Sequence, residues 1–111
     1  MLIQIKVEDL PRNRDQWQRQ IVTINDTRPD SVLRTLKYAS FDKEKEPSGD
    51  AIVELPSGQL VLIREYSSVG KEGGYVLYQL GRKGNPREIV AEFRREVGLD
   101  ESDISWLDYQ D

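Results

Sequence analysis

The chain predicts a small single α+β domain, a mainly antiparallel sheet with one well-defined amphipathic helix packed on it. Three observations carry this. Apolar runs of strand length recur and are separated by turn residues. One stretch, residues 85–99, is written as a helix with both ends marked. The strands come first, in hairpin order, and do not alternate with helices. With 111 residues the chain forms one domain, 1–111. A chain of this size buries roughly 60–70% of its unfolded surface, enough for a true core.

Taken in order, residues 1–7 alternate Leu2, Gln4, Lys6 against Ile3, Ile5, Val7, which predicts a strand with one apolar face. Residues 8–15 are a polar loop with Pro11. Asn13 and Gln16 suit the start of a helix carrying Trp17, Ile21 and Ile24. The run Ile21-Val22-Thr23-Ile24 is β-branched throughout and favours a strand over 19–25 instead. Both readings stand for residues 13–40, with the strand preferred for 19–25. After the turn at Asn25–Pro29, either Asp30 caps a short helix carrying Val32, Leu33 and Leu36, or a strand runs on to Phe41. Residues 41–50 form a charged loop with Pro47 and Gly49.

Residues 51–55 and 60–65 flank Pro56-Ser57-Gly58-Gln59 and read as a β-hairpin. Leu60-Val61-Leu62-Ile63 is unbroken, so this strand should be covered on both faces. A glycine-bearing loop, 66–74, leads to a third strand over 75–80 and a tight basic loop, 81–84. The helix, about 86–97, follows. Asn85 caps it, Pro86 takes the first position, Glu88 completes a capping box and Gly98 stops it. Ile89, Val90, Phe93 and Val97 form its buried stripe, and the other face carries solvent charges. Residues 104–107 suit a last short strand.

Composition removes much chemistry. Cys and His are both absent. Without Cys there are no disulfides, thiolate nucleophiles or thiolate-held metals. Without His the commonest general base and zinc ligand are gone. The serines, including Ser67-Ser68, have no imidazole to activate them, and Gly70-Lys71-Glu72-Gly73-Gly74 lacks the spacing of a phosphate-binding loop. The net charge is −4, and Asp100, Glu101, Asp103, Asp108 and Asp111 make the end of the chain acidic. That argues against nonspecific nucleic-acid binding. No apolar stretch is long enough to cross a membrane and no signal peptide opens the chain, so a cytoplasmic location is expected. Trp17 and Trp106 are expected to anchor the core rather than serve as binding platforms.

Glu92 and Glu96 lie four residues apart and share a helix face. The segment around them, Ala91-Glu92-Phe93-Arg94-Arg95-Glu96-Val97-Gly98-Leu99, resembles the end of a Nudix box, the helix of the Nudix pyrophosphohydrolases. Upstream, 58–66 and 75–81 resemble the strands that lead to that box, so the resemblance runs from Gly58 to Leu99. It implies a nucleoside diphosphate derivative as ligand, with Glu92 and Glu96 as the metal-binding pair. The chain departs from the family pattern at Ala91, where the family has Arg, and at Arg95, where it has Glu. The interval from Gly81 to Glu92 is also about four residues short.

The expectation is therefore a small non-enzymatic binding or regulatory domain acting through protein–protein contact. No catalytic residues, cofactor or metal are assigned. The alternative is a degenerate Nudix-like domain that binds, or weakly hydrolyses, a nucleoside diphosphate derivative. Arg82, Lys83 and Arg87, around the start of the helix, form the candidate contact for an anion or an acidic partner. The sequence leaves the partner and the oligomeric state open.

Overall fold

A computed structural model gives the structure of the protein and describes residues 2–10, 17–38, 48–66 and 74–106. Its strands are β1 (Ile3–Ile5), β2 (Gln18–Asn25), β3 (Ser48–Glu54), β4 (Leu60–Tyr66), β5 (Gly74–Leu80) and β6 (Ile104–Trp106), and its helix is α1 (Pro86–Val97). The expected α+β class holds. All six strands join one antiparallel sheet in the order β1-β3-β4-β5-β2-β6.

The turn between β3 and β4 sets the register. Gly58 has φ +94°, a conformation that costs glycine little. The turn closes with Gly58 N–H on Leu55 O at 2.8 Å and Leu55 N–H on Gln59 O at 2.9 Å. Pairing then runs from Glu54 opposite Leu60 to Ser48 opposite Tyr66. Side chains alternate across the sheet, so Val61 and Ile63 are fully buried on the helix side, while Leu62 joins Ile52, Val76, Tyr78 and Leu80 on the other. The unbroken apolar run of β4 is thus covered on both faces, as expected. Because β1 pairs with β3 and β2 with β5, β1 and β2 lie on opposite sides of the β3, β4 and β5 strands. Leu10, after β1, packs against the second cluster.

Residues 18–25 are strand, which resolves the helix-or-strand alternative. A bulge between Gln20 and Val22 shifts the register, and Ile21, Val22 and Ile24 all enter the helix-side core. Three other expectations change. β1 ends at Ile5, where a 3₁₀ turn, Val7–Asp9, takes over, and Ile3 is half exposed at the sheet edge. The segment after Pro29 is a 3₁₀ turn, Val32–Thr35, capped by Ser31 Oγ rather than by Asp30; it buries Leu33 and leaves Val32 exposed. Trp106, expected in the core, is 44% exposed on the outermost strand, and Trp17 is half-buried. Asn13, Phe41, Pro47, the Ser67-Ser68 pair, residues 70–73 and Leu107 lie outside the described residues.

On α1 the Asn85 side chain accepts the Arg87 N–H at 2.8 Å, and Gly98, at φ +82°, donates its N–H to Arg94 O. Ile89, Val90, Phe93 and Val97 are buried, as the stripe predicts. The capping box does not form: Asn85 bonds the second helical amide, and Glu88 stays exposed. Arg28 also holds the end of the helix. Its Nη1 donates to Gly98 O at 2.8 Å and its Nη2 to Val97 O at 3.1 Å, satisfying carbonyls that a helix end leaves without partners. Asp26, buried beside it, accepts from Arg28 Nε and Nη2, each at 3.0 Å, and from the Ser31 hydroxyl. Burial pushes the Asp26 carboxyl up. The hydrogen bonds from Arg28 and Ser31 outweigh it and hold the group at about 2.

Tyr38 closes one end of the helix-side core. Its hydroxyl donates to Leu33 O at 2.7 Å, and its ring lies 6.0 Å from that of Tyr75. Burial raises its ionisation above the ordinary tyrosine range. Gly49 on β3 sits directly against it, where an added Cβ would lie 2.6 Å from Tyr38 Cβ and 3.2 Å from its carbonyl carbon. Gly49→Ala is expected to cost about 1–3 kcal/mol through overpacking. A urea melt checks this, and an unchanged midpoint would mean that Tyr38 can move aside.

Candidate functional site

The basic loop between β5 and α1 is built by one buried amide. Gln79, the second-last residue of β5, is 1% exposed. Its Nε2 lies within hydrogen-bond distance of Gly81 O, Lys83 O and Gly84 O, at 3.1, 3.2 and 3.3 Å. Three carbonyls around one nitrogen require a donor there, which fixes the orientation of the amide. At the start of the loop, Gly81 N–H donates to Trp17 O at 2.7 Å. At its end, Gly84 has φ +108°, and a Cβ there would lie 2.7 Å from Gln59 Oε1. The loop is held on both sides, and Arg82 and Lys83 stand exposed on it.

Next to the loop is the turn between β3 and β4. Gln59 joins the two, donating from Nε2 to Leu60 O at 2.8 Å and to Leu80 O at 3.1 Å. Between them lies a cavity of about 360 Å³, lined by Gly58, Gln59, Leu60, Leu80, Gly81, Arg82 and Lys83. The two leucines give it an apolar wall, and no acidic residue is among the lining. The Arg82 guanidinium also lies 5.9 Å from the centre of the Trp17 ring, which carries Arg19 at 5.4 Å.

Of the three cations expected to cluster, Arg82 and Lys83 line this cavity. Arg87 does not; it stands exposed on the first turn of α1. Glu92 and Glu96 do share α1, but Glu92 is engaged elsewhere. Its carboxylate accepts the Ser57 N–H at 2.9 Å and the Ser57 hydroxyl at 2.6 Å, tying the helix to the β3–β4 turn. Glu92 therefore does more than face solvent. Glu92→Ala should cost about 1 kcal/mol, the worth of an ordinary hydrogen bond, and Ser57→Ala in the Glu92→Ala background should cost almost nothing more. Full additivity of the two losses in a double-mutant cycle would refute the tie. Among the described residues no three carboxylates converge as a metal site would require.

No family model, curated protein or solved structure matches the chain.

A second polar cluster lies on the sheet face opposite the helix and was not anticipated. Arg64 donates from Nε and Nη2 to the two oxygens of Asp50, at 2.7 and 3.0 Å, and from Nη1 to the Tyr78 hydroxyl at 3.1 Å. Gln20 donates to the same hydroxyl at 2.9 Å. A signal was present in the sequence: Asp50 and Arg64 lie equally far from Ser57, so a hairpin centred there pairs them. No helix of the described residues is long and apolar enough to cross a membrane.

Proposed function

We propose that the protein is a small non-enzymatic binding or regulatory domain acting through protein–protein contact, and that it meets its partner at the Arg82–Lys83 cavity. The supporting observation is the held loop: Gln79 fixes the backbone from Gly81 to Gly84. Two cations are thus offered at an apolar recess without a large ordering cost on binding. The chain has neither His nor Cys, and Asp26, Asp50 and Glu92 are each spent on a structural bond.

The test is affinity capture from the source cell with the wild-type chain and with Arg82→Glu/Lys83→Glu, whose fold is checked by its amide NMR spectrum. A partner held by the first and lost by the second supports the reading. The same partners on both would refute it. The Nudix-like alternative would use Glu92 and Glu96 on a cation, and the bonds of Glu92 to Ser57 weigh against it. Incubation with Mg²⁺ or Mn²⁺ and nucleoside diphosphate compounds should release no product. Turnover that disappears in Glu96→Gln would favour that alternative.

A further inference from the structure

We propose that the cavity between the β3–β4 turn and the β5–α1 loop recognises the last residue of a partner chain, with its free carboxylate at Arg82 and Lys83 and its apolar side chain on Leu60 and Leu80. This rests on the protein-contact reading and specifies which part of the partner is held. The lining places two cations beside two leucines, with no acid among them. Only the last residue of a polypeptide carries a backbone carboxylate and an apolar side chain on one carbon. An internal Asp or Glu brings the charge without an apolar group of its own, and in an extended segment its neighbours point the other way.

Size and donors agree with this. About 360 Å³ is near the lower end of the roughly 300–1,000 Å³ range of ligand cavities, suited to a residue or two rather than to a helix. Among the described residues Lys83 has no ion pair, and its backbone N–H makes no hydrogen bond. Backbone amides on a held loop are a recurring means of capturing a terminal carboxylate. Lys83, which lines the cavity with Arg82, carries such an amide as well as an ammonium.

The experiment is an NMR titration of the ¹⁵N-labelled full chain with N-acetyl-Ala-Leu, its C-terminal carboxamide, and acetate. The free acid should shift residues 58–60 and 80–83 in a saturable way. The carboxamide, acetate, and the free acid on Arg82→Ala/Lys83→Ala should each bind about tenfold or more weakly, as loss of a charge-assisted contact requires. A carboxamide equal to the acid, acetate equal to the acid, scattered shifts, or none would each overturn the proposal. Those failures leave charge-dependent capture of a partner standing. Capture that ignores Arg82→Glu/Lys83→Glu removes the protein-contact reading itself.

Discussion

Phe93→Ala is expected to lower stability by about 3–5 kcal/mol, the usual cost of truncating a buried aromatic side chain. Phe93 is fully buried at the middle of α1's apolar stripe, in the same core as Val61, Ile63 and Leu77. Its ring joins the only long helix of the described residues to the centre of the sheet. A domain of this size has about 5–15 kcal/mol in total, so the variant should lose a large share of its stability and unfold at a much lower urea concentration. Urea melts of the wild type and of Phe93→Leu place it on a scale, since leucine keeps much of the volume and should lose less. A near-neutral Phe93→Ala would mean that the helix presents another face to the sheet.

Asp26→Asn is expected to cost about 2–3 kcal/mol, the range for losing charge-assisted hydrogen bonds to a buried acid whose partner, Arg28, keeps contact with water. The substitution keeps the shape but removes the charge that Arg28 pairs with, and an amide nitrogen in place of one oxygen is a donor that can accept from neither Arg28 nor Ser31. The loss should propagate to the end of α1, because Arg28 also bonds the carbonyls of Val97 and Gly98. The pH dependence follows from the sign of the shift. The carboxyl titrates at about 2 when folded against 3.8 ordinarily. Its stabilisation, about 2–3 kcal/mol at one pKa unit per roughly 1.4 kcal/mol, is complete well above pH 3.8 and is lost as pH falls through about 2. Melts of wild type and Asp26→Asn should therefore converge between pH 4 and pH 2. A constant gap across that window would mean that the carboxylate is not what holds the clamp.

Local rules sufficed wherever one element decides its own shape. The helix was legible from Asn85, Pro86 and Gly98, and the central hairpin from Pro56-Ser57-Gly58-Gln59 between apolar runs. Residues 17–24 left a helix open beside the preferred strand, which is what forms, for a physical reason. The bulge at Ile21 inserts a residue into strand alternation, so Ile21 and Ile24 reach the same core at a spacing that imitates a helix. The two-part nature of the cavity was hidden. Arg82 and Lys83 stand out beside their glycines, but Gln59 and Leu60 reach them only through the register of β4 on β5, a long-range fact. Arg87 is close in sequence and absent from the lining because the helix carries it onto its exposed first turn. The tie between Glu92 and Ser57 likewise depends on where the sheet carries a turn from far upstream.

The strand order has a kinetic consequence. β3, β4, β5 and α1 follow one another in the chain and need only short loops to meet, whereas β1 must find Ile52–Glu54 from the far end of the sequence. Loop-closure entropy delays such distant pairings. The meander with its helix is accordingly the part able to assemble first, and the outer strands, each three residues long, dock last. Amide exchange should trace the same order in reverse: Ile3–Ile5 and Ile104–Trp106 open by local fraying at a small fraction of the global free energy, while the amides of Val61–Ile63 exchange only when the whole molecule unfolds.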